Sequence, residues 1–527
     1  MKNQNGVLIL FAIGVFMAAL DNGIISAALT TLLYDFGVSP SWGAWAITIY
    51  TLGIAISIPI VGKLSDSYGR KKLFLIEILI FGVGSLFVAL SKTFEMLLIF
   101  RFIQSLGGGG IFIIASSHIL STFPKEKQGS ALGALGGMNG IAAVLGPNIG
   151  AFILDMTGSW HWLFLINIPV AITLLAVGYF KIPESREETE VSLDYAGIIV
   201  LALAVFSFMY GLTNFKGVNF VESILDPQVY SFIGAGMLLF ILLIIVERRI
   251  ARKMGDPLLP LALMQRPNYL LTLLLGAFSG AILASVIFIP AYVEQVLGFS
   301  AGKAGYFFTP LALASGVGAG GGGVLVDRKG PIFTMVTASI LAVIGAILFP
   351  LWVIKTWQMI VASSVLGLGF GIMLGAPINV LATENTNKNK GVALGTVSLF
   401  RQIGMTIATT IYAGFIARSY MRIGSQMSAN LEQAGIEASG MPHGGFEKLQ
   451  GLDYRQLIDQ VEQIPMPAIR ETILHTIHDV VSKGYGNLYL ATAVVAMITL
   501  VTTLILYKVR KGDKEIKAVK MEIDDVR

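Results

Sequence analysis

The sequence contains no cysteine, and only 13% of its 527 residues are Asp, Glu, Lys or Arg. Without cysteine, the chain can form no disulfide, no thiolate metal site and no cysteine nucleophile. Soluble domains carry about 25% charged residues, so the low charge, the 55% of hydrophobic residues and a mean hydropathy of +0.75 argue against a soluble protein. The net charge of +5 is spread over several loops, which argues against a nucleic-acid surface.

Apolar segments long enough to cross a bilayer recur along nearly the whole chain. A spanning helix needs about 20 mostly apolar residues, and fourteen segments meet this requirement. They cover residues 7–32, 42–62, 72–91, 95–120, 129–155, 160–181, 194–214, 229–247, 269–293, 303–325, 331–353, 358–384, 391–418 and 486–508. The first could pass for a signal peptide, but it is long, contains Asp21 and lacks a convincing cleavage site, so we expect a retained helix. Because backbone groups in lipid need internal partners, each segment is predicted to be helical.

Lys and Arg are distributed between the loops in a way that sets the orientation. With the N-terminus inside, the inner loops hold two or more each, whereas the short outer loops hold at most one, at Lys92, Lys216, Lys303 and Lys355. This asymmetry follows the positive-inside rule. It predicts a multi-pass protein of the cell (plasma) membrane, with both termini in the cytoplasm and an even number of helices.

One outer loop, residues 419–485, is long. Apolar residues recur at helical spacing in two stretches, from Leu457 to Ile464 and from Ile469 to Val480. They predict two short amphipathic helices separated by a break at residues 464–467. The loop is either a solvated cap or an interfacial element that meets lipid or substrate.

A short pattern occurs twice at predicted cytoplasmic turns. GKLSDSYGRKK (62–72) follows the second span and GGGVLVDRKGP (321–331) follows the tenth, with Asp66 and Asp327 261 residues apart. Transporters built from two related halves are a known architecture. The repeat predicts an N-terminal six-helix bundle over residues 1–182, an inserted helix pair with inner linkers over 183–265, and a C-terminal six-helix bundle over 266–527. The last unit includes the outer loop 419–485 and a cytoplasmic tail, 509–527.

The repeated pattern has a chemical rationale. Gly62 and Gly69 allow close helix approach and a tight turn. Asp66 lies at a helix end, where it can pair with Arg70 or with the terminus of a neighbouring helix. We predict a conformational switch in this inner region. Its residues are Gly62, Asp66, Gly69, Arg70, Lys71, Asp327 and Arg328.

Several spans carry polar or small residues that stand out from their apolar surroundings. The first span carries Asp21 in LDNGIISAAL, the fourth carries Arg101 and Gln104 in LLIFRFIQSLGGGG, and the thirteenth carries Arg401 in SLFRQIGMT. Ionisable residues within a membrane are costly, which makes them functional candidates. The fifth span, GALGGMNGIAAVLGPNIGAF, is rich in small residues that permit close helix packing, and its proline can bend the helix.

These motifs resemble those of the major facilitator superfamily, and more narrowly its fourteen-helix drug:proton antiporter branch of bacterial multidrug and quaternary-ammonium exporters. The inner-loop signature departs from the family at Ser67, where an Arg is common. The resemblance covers nearly the whole chain except the outer loop. It implies an all-α membrane protein with the major facilitator fold, in which two six-helix bundles and two inserted helices make fourteen transmembrane helices. It also implies that the fifth-span motif, with Gly133, Gly146, Pro147 and Gly150 in register, marks an exporter.

The resemblance implies a part in proton transfer for Arg101; the alternative is a structural Arg bonded to backbone carbonyls. A low dielectric favours the neutral form of a carboxylate, so Asp21 is predicted to gain and lose the coupling proton. Arg401 needs a counter-charge, and Asp21 is its predicted partner across the two halves. The predicted proton-coupling residues are therefore Asp21, Arg101 and Arg401.

The substrate cavity is expected near the bilayer midplane between the halves. Its predicted lining residues are Phe16, Met17, Gln104, Asn139, Asn379 and Gln402. The sequence predicts a proton-coupled exporter of small amphipathic compounds, of the multidrug efflux type, that functions as a monomer. The alternative is a lipid or glycolipid transporter of the same fold. A non-transporting receptor or scaffold is disfavoured, because buried charges would be costly there without a use.

An enzyme is not expected, because the sequence offers no nucleotide-binding loop, metal cluster or catalytic triad. We expect no cofactor and no metal, with protons as the coupling ion. The expected partners are membrane lipid and a small amphipathic substrate or lipid, and nucleic acid is not among them.

Overall fold

The computed structural model describes residues 2–43, 45–185, 195–215, 220–252, 260–384, 386, 389–433 and 454–525. All regular secondary structure within these ranges is helical. The helices of the first half and the linking region are α1 Lys2–Phe36, α2 Pro40–Gly43, α3 Trp45–Tyr68, α4 Arg70–Ala89, α5 Phe94–Gly109, α6 Ile111–Thr122, α7 Lys125–Thr157, α8 His161–Leu165, α9 Asn167–Lys181, α10 Tyr195–Thr213, α11 Phe220–Ile224, α12 Pro227–Arg252 and α13 Leu261–Met264. Those that follow are α14 Pro267–Val286, α15 Ile289–Gln295, α16 Ala301–Ala304, a 3-10 turn Gly305–Phe307, α17 Phe308–Lys329, α18 Pro331–Trp352, α19 Thr356–Gly375, α20 Pro377–Thr383, α21 Lys390–Gln433, α22 Tyr454–Glu462 and α23 Pro467–Asp525.

The helices supply fourteen membrane crossings in the described part of the chain. Thirteen segments are long and apolar enough to span a bilayer, and α7, which bends by 42°, is the fourteenth. Four crossings are each built from two consecutive helices, namely α5–α6, α8–α9, α14–α15 and α19–α20. The prediction of an all-α protein with fourteen spans is confirmed.

The long outer loop differs from its prediction. The expected break near residue 464 exists, and α22 is a separate helix, but the stretch from Ile469 to Val480 is the first part of α23 rather than a second short helix. No proline follows Pro467, so nothing interrupts the helix before the membrane. α21 likewise continues past residue 418 to Gln433. Residues 434–453 of the predicted loop lie outside the described residues.

The extensions of α21 and α23 pack against each other. Ile473 and Ile477 on α23 are buried, as is Met427 on α21. The Asn430 side chain donates a hydrogen bond to the Thr476 hydroxyl at 2.8 Å. The apolar residues from Ile469 to Val480 predicted an amphipathic helix. Their apolar face instead packs in a helix pair, formed where α21 and α23 extend past the predicted spans.

The two halves meet along two helix pairs, α3 with α21 and α7 with α17. α10 and α12 pack against each other, and α10 lies against α3 and α21. Its Leu201 and Val205 share an apolar cluster with Leu52 of α3 and Leu399 of α21. α10 thus covers one edge of the contact between the halves, and α12 packs against it.

Candidate functional site

Asp21 and Arg101 form a fully buried ion pair inside the first half. Asp21 lies on α1 and Arg101 on α5, and both are 0% exposed. The Nη1 group of Arg101 donates to Asp21 Oδ2 and also to Gln104 Oε1, at 2.7 Å for the second contact. Because the arginine bonds to side chains, its guanidinium is positioned for the carboxylate, and the alternative of an Arg bonded only to backbone carbonyls does not describe this geometry.

The second carboxylate oxygen of Asp21 accepts two more hydrogen bonds. Gln104 Nε2 donates at 2.8 Å and Asn167 Nδ2 donates at 3.1 Å. Both amides also reach the Ser85 hydroxyl, at 2.7 and 3.3 Å. The carboxylate is therefore surrounded by donors from α5 and α9.

Aromatic rings enclose the guanidinium of Arg101. Its Cζ atom lies 4.0 Å from the centroid of the Tyr50 ring and 5.4 Å from that of Phe164. Cation–π contacts of this kind strengthen when water is excluded. The Nε and Nη2 atoms of Arg101 have no hydrogen-bond partner in the part of the chain that the structure describes. The guanidinium thus depends on Asp21 for its charge compensation.

Sequence reasoning found Asp21, Arg101 and Gln104 of this cluster and missed Tyr50, Ser85 and Asn167. Asn167 had a usable signal, because an Asn stands out in the apolar segment LFLINIP. Tyr50 and Ser85 had none, since aromatic and hydroxyl residues are common in membrane helices. Only the packing of α3 and α4 against α5 reveals them.

The predicted pair of Asp21 with Arg401, a switchable one, is not formed in this structure. Arg401 lies on α21 in the other half, is half-buried, and donates from Nε to the Ser279 hydroxyl at 3.2 Å. No described carboxylate lies within ion-pair distance of Arg401. The physical reason is that α5 offers Asp21 an arginine within its own bundle, so the pair forms without crossing the interface.

At the inner turn after α3, Asp66 makes both contacts that were predicted as alternatives. Arg70 Nη2 donates to Asp66 Oδ1 at 2.7 Å. The backbone N–H groups of Gly391 and Val392, at the start of α21, donate to Asp66 Oδ2 at 2.7 and 3.2 Å. A carboxylate at a helix N-terminus satisfies free N–H groups and meets the positive end of the helix dipole. We call this contact between the halves the Asp66 cap.

Asp327, the repeat counterpart of Asp66, makes the reciprocal contact. The N–H groups of Gly129 and Ser130, near the start of α7, donate to its two carboxylate oxygens at 2.7 and 2.8 Å. Arg328 is exposed and forms no ion pair with Asp327 in the described ranges. We call this contact the Asp327 cap. Each half thus accepts backbone hydrogen bonds from residues near the start of one helix of the other half.

Glycine pairs allow these caps to form. A Cβ on Gly391 would overlap the carbonyl oxygen of Gly62, and a Cβ on Gly323 would overlap that of Gly129. Gly133, one turn along α7, likewise lies against the α17 backbone, with Gly323 Cα 3.0 Å from the position of a Cβ. The helices therefore touch backbone to backbone at both edges of the inner interface.

Two other residues of the inner motif act within their own half. Gly69 has φ +103°, a conformation that favours glycine. The turn places the N–H of Lys71 3.1 Å from Glu184 Oε1, and the Lys71 ammonium lies 5.1 Å from the centre of the Tyr179 ring. Gly69 and Lys71 shape the turn after α3 and do not contact the second half in the described contacts.

The small-residue motif of α7 packs against α1 beside Asp21. A Cβ on Gly146 would lie 2.6 Å from Gly23 Cα, and the Pro147 ring borders Gly23 as well. Pro147 lacks the N–H that would bond to the carbonyl of residue 143, which is the physical cause of the 42° bend. Gly150 is buried one turn farther on.

The six predicted cavity residues fall into two groups by burial. Gln104 belongs to the Asp21 cluster, and Met17 and Asn379 are also buried. Phe16, Asn139 and Gln402 are half-buried. Asn379 donates a long hydrogen bond of 3.4 Å to the Gly375 carbonyl, beside the break between α19 and α20. The assignment of these residues to a substrate cavity stays a prediction.

The sequence and the fold are both similar to those of known transporters. The family model of the Major Facilitator Superfamily matches residues 11–409. The chain is 54% identical over 499 residues to the uncharacterized MFS-type transporter YfiU of Bacillus subtilis, covering 95% of this chain and 96% of the relative. It is 30% identical over 512 residues to Multidrug resistance protein 3 of the same organism, covering 94% of each. Among solved structures, the proton:xylose symporter XylE has a TM-score of 0.56 at 13% identity, covers 94% of this chain and 95% of its own, and shows a common fold.

Proposed function

Because the chain belongs to the major facilitator superfamily, we propose that it is a proton-coupled exporter of small amphipathic compounds, of the multidrug efflux type, in the cell membrane. The observation that carries this proposal is the buried Asp21–Arg101 ion pair, a titratable carboxylate held inside the membrane-spanning part of the first half. The similarity to Multidrug resistance protein 3 supports the export of small molecules.

The coupling step is the protonation of Asp21. In the ionised state, Asp21 compensates Arg101 and accepts hydrogen bonds from Gln104 and Asn167. A proton on the carboxylate removes the charge partner of a buried cation, which is strongly unfavourable unless the surroundings rearrange. Proton binding and conformational change are therefore linked, and each alters the equilibrium of the other.

α7 provides a physical connection from Asp21 to the inner interface. Gly23, two residues after Asp21, lies against Gly146 in the second half of α7, and the Asp327 cap contacts α7 near its start. Both caps join the two halves on the predicted cytoplasmic side. We propose that protonation of Asp21 shifts α1 against α7, releases the caps and lets the transporter turn inward.

The experiment is proton-driven efflux in liposomes containing the purified protein. Asp21→Asn should fold normally, as judged by size-exclusion chromatography, and should lose substrate efflux driven by an imposed pH gradient. Asp155→Asn, the same chemical change at an exposed end of α7, is the matched control and should behave as the natural protein. Full pH-driven efflux by Asp21→Asn would refute the coupling role.

A lipid or glycolipid transporter is the second candidate, and the helical extensions favour it. α21 reaches Gln433 and α23 begins at Pro467, so a packed helix pair projects from the predicted outer side. Such a projection could guide a lipid away from the bilayer. The two candidates are separated by measuring dye efflux and lipid movement in the same liposomes under a pH gradient. Lipid movement without dye efflux would favour this candidate.

A further inference from the structure

Arg401 is a cation near the middle of the predicted span 391–418, with no carboxylate within ion-pair distance in the described part of the chain. Its Nε atom donates to the Ser279 hydroxyl at 3.2 Å, and that hydroxyl itself donates to the Gly276 carbonyl at 2.7 Å. The Nη2 atom of Arg401 is buried and has no hydrogen-bond partner among the described residues. An unpaired charge inside a membrane protein is costly. The guanidinium is therefore held by a neutral partner and still needs a counter-charge.

Ser398 lies one turn before Arg401 on the same face of α21. Its Oγ atom is also buried and without a hydrogen-bond partner in the ranges that the structure covers. Most buried polar groups in proteins have a partner, so two adjacent exceptions on one helix face point to a binding site. The guanidinium and the hydroxyl are both hydrogen-bond donors. A single anionic group can accept from both of them.

The buried acidic residues of the first half already have partners of their own. Asp21 and Asp66 each pair with an arginine of that half. Glu77 accepts a hydrogen bond from the Gly110 N–H at 3.1 Å, at the break between α5 and α6. All three are thus engaged away from Arg401, and its counter-charge is expected from outside the chain.

The packing of α21 changes at the position of Arg401. Residues 391–399 are buried on every side, whereas residues 400–406 are all half-buried. In the buried part, α21 touches the other half, since a Cβ on Gly395 would lie 3.2 Å from Pro59 Cα on α3. Arg401 thus lies beside the interface between the halves, on the first turn that the neighbouring helices leave partly uncovered. Transporters built from two halves bind their substrates at this interface.

Apolar side chains flank the two donors. Phe400, Ile403 and Met405 lie within about one turn of Arg401 and are half-buried. Ile403 packs against the apolar cluster that α3 and α10 share with α21. Binding sites for small molecules are mostly apolar, with a few polar groups that fix the orientation of the ligand. The surroundings of Arg401 therefore suit a ligand that carries one anionic group on an apolar body.

We propose that Arg401 and Ser398 bind the anionic group of the transported compound, so that the exported compounds are amphipathic organic anions, such as carboxylates and sulfonates. The guanidinium presents paired N–H groups that match two oxygens of either group. An inorganic anion carries the same charge, but the apolar residues contribute binding free energy only to an organic one. The inference rests on the proposed export function and adds the charge of its substrate.

The test is equilibrium binding of a matched pair of probes to the purified full-length protein in nanodiscs, measured by fluorescence polarisation with empty nanodiscs subtracted. N-dansyl-leucine carries a carboxylate, and N-dansyl-leucinamide has the same apolar body without the charge. The natural protein should bind the acid at least about tenfold more tightly than the amide, because charge-assisted hydrogen bonds are the stronger ones. N-dansyl-aminoundecanoic acid and its amide form a second pair of different shape, for which the same order is expected.

Four variants connect this preference to the proposed residues. Arg401→Gln should remove the preference, weakening acid binding at least about tenfold and leaving amide binding unchanged. Ser398→Ala should weaken acid binding severalfold. Arg401→Lys keeps the charge and should retain part of the preference, which guards against misfolding of the Gln variant. Arg249→Gln, on the exposed face of α12, is the matched control and should bind both probes as the natural protein does.

Several outcomes would overturn the inference. They are equal binding of acid and amide in both pairs, no binding of either acid by the natural protein, and a preference that survives Arg401→Gln. Displacement of the acid by an equal concentration of chloride would also overturn it, because it would show an inorganic-anion site.

The export function is tested separately, by pH-driven efflux of both probes from liposomes. An acid that binds through Arg401 but is not exported would refute the export function alone. Equal export of acid and amide by the natural protein and by Arg401→Gln would refute this inference alone.

Discussion

Gly23 of α1 lies directly against Gly146 of α7, so close that a Cβ on Gly146 would come within 2.6 Å of Gly23 Cα. This contact joins the helix that carries the buried carboxylate to the helix whose N-terminus Asp327 holds. It makes α7 one mechanical route between the polar cluster of the first half and the inner interface, and it gives a direct prediction.

Gly146→Ala should destabilise the protein, because the added methyl group overlaps the α1 backbone. Overpacking of a tight contact costs about 1–3 kcal/mol. Gly234→Ala on α12 is the control, since no atom lies within 4 Å of its Cβ position. Thermal unfolding of the purified variants should show a lower midpoint for Gly146→Ala alone. Equal midpoints would show that the contact is not tight in the membrane.

Double-mutant cycles should distinguish the two arginines as partners of Asp21. Contacting charged residues in one network couple by about 0.5–3 kcal/mol, whereas distant residues are additive within about 0.5 kcal/mol. We expect Asp21→Asn and Arg101→Gln to be strongly non-additive in thermal stability, and Asp21→Asn and Arg401→Gln to be additive. Strong coupling between Asp21 and Arg401 would indicate that the pair forms in another conformation.

Arg101→Lys should impair transport although it keeps the charge. One ammonium group cannot reproduce the planar guanidinium that reaches Asp21 and Gln104 and stacks on Tyr50. The loss of one charged hydrogen bond costs about 1.5–3 kcal/mol, or roughly 10- to 100-fold in pH-driven efflux. Arg249→Lys on the exposed face of α12 should leave efflux unchanged. An Arg101→Lys protein with normal efflux would show that charge alone suffices.

Asp327→Asn should shift the protein toward the state open to the cytoplasm. The carboxamide keeps an acceptor but loses the charge that meets the N-terminus of α7, and caps of this kind contribute about 0.5–2 kcal/mol. Because the chain has no cysteine, spin labels can be attached to Lys125→Cys and Lys329→Cys without other changes. Pulsed dipolar spectroscopy should then show a larger population of long distances. An unchanged distribution would mean that the Asp327 cap does not control opening.

The fold was predictable because its main determinant is local. Hydrophobic length alone places the membrane-spanning helices between α1 and α20 to within about six residues, since backbone groups in lipid leave helix as the only solution. The short helices α2, α11, α13 and α16 were not predicted. The predicted helix lengths were wrong outside the predicted spans, at the C-terminal end of α21 and the N-terminal end of α23. There, helix length depends on the packing of the two extensions, in which Met427, Ile473 and Ile477 are buried and Asn430 bonds to Thr476, and a single-helix pattern does not contain such packing.

The candidate site was predictable in part for a similar reason. Asp21, Arg101 and Gln104 stand out because polar groups are costly in a membrane. The partner of each depends on helix facing, and the sequence led to Arg401, not Arg101, as the predicted partner of Asp21. The caps were predictable only in part. Asp66 and Asp327 repeat in the sequence, but the helices that donate to them do so through backbone N–H groups, which carry no side-chain signature.

The paired glycines at the inner interface also affect how well the molecule prevents water and protons from leaking across the membrane. A pump driven by protons loses its energy source through any continuous file of water. Where Gly62 meets Gly391 and Gly129 meets Gly323, main chain rests on main chain and leaves no gap for a water molecule. A bulkier residue at any of these four positions would separate the helices, and the first symptom would be a standing proton leak in the absence of substrate.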